Sequence, residues 1–254
     1  MNKQILTNII DICSKQESVK KDVLLNHDNN LWWPLSITDY RMRLVIAGLS
    51  TRISYNMIQT YRNVITTLSS YQYEDIVSMD KDQLINIIQK LGLPNTRYNY
   101  MQSMIKFINS NSEYFWQKEN DFLISEIANN VYGASYKVAQ CCVLYCKGYY
   151  CGVMPVDSGM KDILLPCIGF EKRNSSIAHD ILRKQLENTV QGINFKNIIF
   201  NNGYGQLNIK DYTNATWWVH LVLIYYKRNF CNKHIGKKCP LHINSYCSIC
   251  YCEN

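Results

Sequence analysis

Apolar positions recur at helical spacing along nearly the whole chain. Ile5, Ile9, Ile10 and Cys13 form one stripe near the start, the interval expected of a helix with one buried face. From Asp39, the residues Met42, Leu44, Val45, Ile46 and Leu49 predict a helix buried on most sides. Met57, Ile58, Tyr61, Val64 and Ile65 continue the same periodicity. Asp80 is a candidate N-cap for a helix carrying Leu84, Ile85, Ile87, Ile88 and Leu91, and Gly92 is its natural stop. Tyr100, Met101, Met104, Ile105 and Ile108 mark the next helix. Phe122, Leu123, Ile124 and Ile127 mark another, expected to end near 129–130.

A turn at Gly133 leads into a predicted helix over Tyr136–Lys147. Asp157, Ser158 and Gly159 read as the cap of a further helix with Met160, Ile163, Leu164 and Ile168 on its apolar side. Ser175 or Ser176 is placed to cap a helix through Ile177, Ile181 and Leu186. The stretch 194–211, with Gly203 and Gly205 among β-branched residues, reads as an irregular insertion. The run 217–226 predicts a last buried helix before a cysteine-rich tail. No segment alternates convincingly with period two, and the expected fold class is all-α.

Composition narrows the picture. A chain of 254 residues with 47% hydrophobic content can bury a real core. The formal charge of +7 favours a polyanionic partner such as nucleic acid, on a surface assembled by folding because no basic tail exists. Lys3 precedes a short apolar stretch that Asp11 interrupts, unlike a secretory signal. The run 217–226 is about half a bilayer span and contains His220, so a soluble, intracellular protein with no membrane partner is expected. Eleven cysteines in that setting predict reduced thiols or metal ligands rather than disulfides. Six are dispersed, whereas Cys231, Cys239, Cys247, Cys250 and Cys252 crowd the end.

The run Gly133-Ala134-Ser135-Tyr136-Lys137-Val138-Ala139-Gln140-Cys141, followed by Met154-Pro155-Val156-Asp157, resembles the helix–hairpin–helix DNA glycosylases. In that family a hairpin reading roughly L-P-G-V-G-x-K-x-A precedes a downstream V-D. The K-V-A-x-C and P-V-D portions look most like the 8-oxoguanine glycosylase branch. The segments Arg43-Leu44-Val45-Ile46-Ala47-Gly48-Leu49-Ser50 and Lys90-Leu91-Gly92-Leu93 resemble the endonuclease III branch. So does Lys227-Arg228-Asn229-Phe230-Cys231, before that branch's iron–sulfur loop. The pieces run in the family's order from about Asp39 to the end.

The resemblance implies two helical subdomains with a cleft between them. A central one over 34–150 would end in the helix–hairpin–helix motif; 1–33 with 151–230 would form the second; 231–254 would be a cysteine-rich cluster loop. It implies a monomer acting on double-stranded DNA that contains a damaged or mismatched base, extruded into a pocket. Lys137 would attack the sugar and form a Schiff base, with glycosylase and abasic-site lyase activity together. Asp157 would stabilise positive charge on the sugar or relay the lysine's proton. A register placing Ser135 at the catalytic position loses the K-x-A match and is disfavoured.

Other positions follow from the same resemblance. Gly133 and Ser135 would present hairpin amides to a DNA phosphate, although Ser135 stands where a second glycine is usual. Arg52 falls where relatives fill the gap left by the flipped base. Cys141 would border the substrate pocket. Gly159 stands where the family often has the histidine of V-D-x-H. The tail reads C-x7-C-x7-C-x2-C, against C-x6-C-x2-C-x5-C in relatives. Cys231, Cys239, Cys247 and Cys250 would hold a four-iron, four-sulfur cluster; zinc is the alternative, and Cys252 or His242 the alternative fourth ligand. Lys233, Lys237 and Lys238 would face phosphates. Two other functions stay open: a monofunctional glycosylase for a mismatched or deaminated base, and a non-catalytic metal-bearing DNA-binding module.

Overall fold

Local capping rules set where several helices begin. In the computed structural model, which describes residues 2–30, 32, 37–231 and 238–247, Asp80 caps Lys81–Ile88 by accepting from the Gln83 amide at 2.8 Å. The Asp80 amide in turn donates to Gln83 Oε1 at 3.1 Å, closing a capping box. Asp39 caps Tyr40–Ala47 in the same way, through the Arg41 amide at 2.8 Å. Gly92 ends its segment with φ +72°, a conformation that glycine adopts without strain. No strand occurs among the described residues, and the all-α expectation is met.

The chain forms two compact units, Asn29–Cys151 and Met1–Asp28 with Gly152–Asn254. In the first, Tyr136–Lys147 packs between Tyr40–Ala47 and Asn120–Asn130. It is buried continuously from Val138 to Tyr145, which explains why its sequence shows little polar periodicity. Tyr100, from Pro94–Asn109, seals this core: its hydroxyl donates to the Leu44 carbonyl at 2.8 Å. The Cys142 sulfur lies 3.3 Å from the same oxygen. Because the phenol proton is committed to Leu44, the thiol is the donor in that second contact.

In the other unit, Thr216–Asn229 is the central helix, buried from Thr216 to Lys227. Lys3–Ser14 and Glu17–Asn26 pack on it. Trp218 sits between Phe195 and Tyr204, with ring centroids 5.8 and 5.5 Å away. The insertion 194–211 is therefore part of this core. It contains the short helix Lys196–Asn201, and the Tyr204 hydroxyl donates to the Ser14 carbonyl at 2.8 Å. Two local expectations shift. Ile5 is exposed while Leu6 joins Ile9, Ile10 and Cys13 inside, and the helix expected after Ser175 or Ser176 runs as Ala178–Val190 with Ile177 at its N-cap.

The expectation of reduced thiols is corrected at one place: Cys167 and Cys247, 80 residues apart, form a disulfide. Closing a loop of that length removes denatured-chain entropy worth about 4 kcal/mol. Reduction, or Cys247→Ser, is therefore expected to lower the denaturant midpoint. An unchanged midpoint on reduction would show the pair to be open in solution. In the other unit, a Cβ at Gly48 would lie 2.4–2.6 Å from the Tyr100 ring. Gly48→Ala is expected to cost about 1–3 kcal/mol by overpacking, read as a lower urea midpoint at unchanged m-value.

Candidate active site

Residues 152–157 run without regular secondary structure into the helix that begins at Ser158. Asp157 is the cap of that helix. Its Oδ1 accepts from the Met160 amide at 2.7 Å, and its backbone carbonyl accepts from Lys161 at 2.9 Å. The other carboxylate oxygen, Oδ2, accepts from Lys227 Nζ at 2.6 Å. Lys227 comes from the last turn of Thr216–Asn229, and only 6% of its side chain is exposed, against 27% for Asp157. A charged amine, a first-turn amide and a helix N-terminus thus converge on one partly accessible carboxylate, an environment complementary to negative charge.

Gly159 has a definite job in this arrangement. Its φ of −69° is open to any residue, so conformation does not demand glycine. Space does: a Cβ there would lie 2.8 Å from both Cδ and Nζ of Lys227. The place where V-D-x-H relatives carry a histidine is here filled by the Lys227 side chain. The helix then widens into a π turn over Met160–Leu164, in which the Leu165 amide bonds the Met160 carbonyl. Pro166, with no N–H to donate, follows directly. Wide turns of this kind are frequent at functional sites.

Lys137 lies in the first turn of Tyr136–Lys147 and is half-buried. Among the described residues, no hydrogen bond or ion pair holds its amine. Its charge favours the thiolate of Cys142, but burial dominates and pushes that thiol up to about 12. Cys141, four residues on, is buried. Lys137 and Asp157 belong to different units.

The hairpin is 131–135, between Asn120–Asn130 and Tyr136–Lys147. Gly133 has φ +76° and is exposed; a side chain there would be strained. Ser135 has φ −67° and ψ 166°, ordinary extended backbone, so the loss of a second glycine leaves the turn intact. Ser135 is the N-cap but makes no side-chain capping bond. The Tyr132 amide is tied to Ser103 Oγ at 2.8 Å, which anchors the hairpin to Pro94–Asn109.

Arg52 is exposed and has φ +56°, in the left-handed region. That costs a non-glycine residue about 1–3 kcal/mol, so its loop must be held from elsewhere. Arg97 holds it. This guanidinium, 4% exposed, donates to the carbonyls of Leu49 at 2.7 Å, Thr51 at 3.0 Å, Leu91 at 3.0 Å and Gly92 at 2.7 Å. Neither Lys227 nor Arg97 was expected from the sequence. The available signals were a basic residue closing an otherwise apolar helix, and an arginine in the turn after Gly92-Leu93-Pro94.

Cys247 is bonded to Cys167, and a disulfide sulfur is not a thiolate ligand. Cys231 and Cys239 are buried, close enough to Cys13 to raise its thiol further after burial has done so. Cys239 Sγ lies 3.0 Å from the Tyr226 hydroxyl, which also accepts from the Leu241 amide at 3.1 Å. His242 faces the Cys247 carbonyl at 3.3 Å. Among the described residues, no group of three or more His, Cys, Asp or Glu side chains is placed to hold a metal. Cys250, Cys252, Lys233 and Lys237 lie outside the described residues, as does Trp33; Lys238 is exposed.

A solved structure shares this architecture. The crystal structure of H. pylori 3-methyladenine DNA glycosylase (MagIII), bound to 1,N6-ethenoadenine, superposes with a TM-score of 0.55 over 90% of this chain and 98% of that one. The chain has the glycosylase fold. Sequence identity to MagIII is 14%, which explains why only short motifs carry the resemblance. No family model and no curated protein matches the chain. Among the described residues, no helix is long and apolar enough to cross a membrane.

The Lys227–Asp157 contact yields a direct test. Gly159→Ala is expected to displace Lys227 Nζ from Asp157 while leaving the fold intact, because the crowded atoms are the far end of a flexible side chain. A crystal structure of the variant with the ion pair unchanged, at an unchanged thermal midpoint, would show that the glycine is not needed for space.

Proposed function

We propose that this chain is a DNA N-glycosylase of base-excision repair, removing a damaged or mismatched base from double-stranded DNA. The observation that carries the reading is the seat of Asp157 on a glycosylase fold. It is a partly exposed carboxylate backed by a buried lysine and a helix N-terminus. As the glycosidic bond breaks, electrons leave with the base and positive charge grows on the deoxyribose. A fixed carboxylate nearby stabilises that charge without reorganising. The hairpin supports a phosphate contact: Gly133 makes the turn, and the first-turn amides of Tyr136–Lys147 have no intrahelical partner. Arg52, on its strained loop, is proposed to occupy the gap left by the extruded nucleotide.

The fuller reading adds lyase chemistry. Lys137 Nζ would bond to the sugar C1′ as the base departs, and the adduct would open to a Schiff base. Its half-buried, unpaired amine favours this role. The second reading is simple hydrolysis, in which Asp157 orients a water and Lys137 only contacts DNA. It is favoured by the likeness to MagIII, a 3-methyladenine DNA glycosylase seen with bound 1,N6-ethenoadenine. Those two lesions therefore head the list of bases to try. The DNA-bound form proposed here is a monomer.

A panel of duplexes, each with one damaged or mismatched base, tests both readings. Asp157→Asn is expected to lower the single-turnover excision rate by about 10²–10³-fold. Borohydride is expected to trap a covalent protein–DNA adduct that Lys137→Gln abolishes. Base release without an adduct selects the hydrolytic reading. Duplex binding with no base released from any member of the panel overturns both, in favour of a binding module.

A further inference from the structure

The segment that delivers Asp157 has no sheet or helix to satisfy its backbone. Val153, Met154 and Val156 are fully buried, and a buried amide or carbonyl without a partner is costly. Two side chains of Ala178–Val190 supply the partners. Glu187 Oε1 accepts from the Met154 amide at 2.8 Å. His179 Nδ1 lies 2.7 Å from the Val156 carbonyl. A carbonyl can only accept, so Nδ1 carries the proton. The Val156 carbonyl belongs to the same peptide plane as the Asp157 amide, so this bond fixes the plane from which the carboxylate is hung. Glu187 is itself held by Arg183, 1% exposed, whose Nη1 donates to Oε2 at 2.5 Å and whose Nε donates to Asp180 at 2.9 Å.

We infer that His179 and Glu187 are positioning residues for Asp157: through the Val156 carbonyl and the Met154 amide they aim its carboxylate between the Met160 amide and Lys227. Both act through backbone, Glu187 on the Met154 amide and His179 on the Val156 carbonyl. The inference rests on the proposed glycosylase activity for its rate readout and on geometry alone for its structural one. A displacement near 1 Å at a reacting group costs about 10²-fold in rate, which sets the scale expected.

The test compares His179→Ala, His179→Asn and His179→Gln with the wild type, in excision rate, duplex affinity, thermal midpoint and crystal structure. Asn places an amide nitrogen where Nδ1 stood; Gln reaches instead to the position of Nε2. His179→Ala and His179→Gln are expected to excise about 10²-fold more slowly, with duplex affinity unchanged. Their crystal structures are expected to show the carboxylate off Lys227. His179→Asn is expected to restore both the rate and the contact. Glu187→Gln, which can still accept from Met154, is expected to be milder than Glu187→Ala. A His179→Ala protein with wild-type rate and an undisturbed carboxylate overturns the inference, as does rescue by Gln rather than Asn. If the wild type excises nothing, the proposed function fails, and the crystal structures of the variants still decide the positioning role.

Discussion

The contact on which the site depends is the ion pair between Lys227 and Asp157. It joins the last turn of the buried helix Thr216–Asn229 to the N-cap of the helix after the irregular segment 152–157. A lysine with 6% exposure is costly to bury without a partner, so the partner and its geometry are constrained together. The carboxylate has one oxygen on the lysine and the other on the Met160 amide. Gly159 gives the space that the lysine needs, and the π turn follows at once. These features read as separate oddities in the sequence and as one arrangement in the structure.

Elsewhere, the same physical solution recurs: irregular backbone held by buried charged side chains. Arg97 binds four carbonyls around the loop that carries Arg52. Arg183, Glu187 and His179 serve the segment that carries Asp157. A guanidinium suits the first task because its five donors spread in a fixed plane. Hydrogen bonds involving a charged partner are also the stronger kind, and in a dry interior leaving one unmade is expensive. The strained backbone at Arg52 is therefore stabilised by a residue far from it in sequence. The loop of Arg52 and the segment before Asp157 are thus both held by side chains from helices.

What was legible in the sequence follows the range of the interaction. Asp80 and Gly92 were readable because capping acts over three or four residues. Asp157 was readable for the same reason, helped by the V-D motif. The helices were readable from periodicity, except where an element is buried all round and the phase is lost, as at Tyr136–Lys147. Lys227 was not legible: it follows an apolar run, and a basic residue at a helix C-terminus ordinarily needs no buried partner. Asp180, Arg183 and Glu187 were visible as charges at helical spacing, but that pattern usually marks a solvated face, and only the fold shows that Arg183 is inside. Cys167 and Cys247 are 80 residues apart, beyond any local rule.

The altered motif positions are best understood by what each one must do physically. A hairpin glycine is required only where φ is positive, and that condition holds at Gly133 but not at Ser135. The substitution at 135 therefore exchanges a hydrogen for a hydroxyl at an exposed N-cap without disturbing the turn. At 159 the exchange runs the other way, since a large side chain is given up and a lysine from another helix takes its volume. At the tail, the cysteines divide among different neighbours: Cys247 with Cys167, and Cys231 and Cys239 near Cys13. In a domain whose core is already large, a tail can be fixed by a disulfide and by buried thiols as well as by a metal. The hairpin and the Asp157 cap thus keep their local geometry where the motif departs from the pattern it resembles, because at 135 no positive φ is required and at 159 Lys227 fills the space.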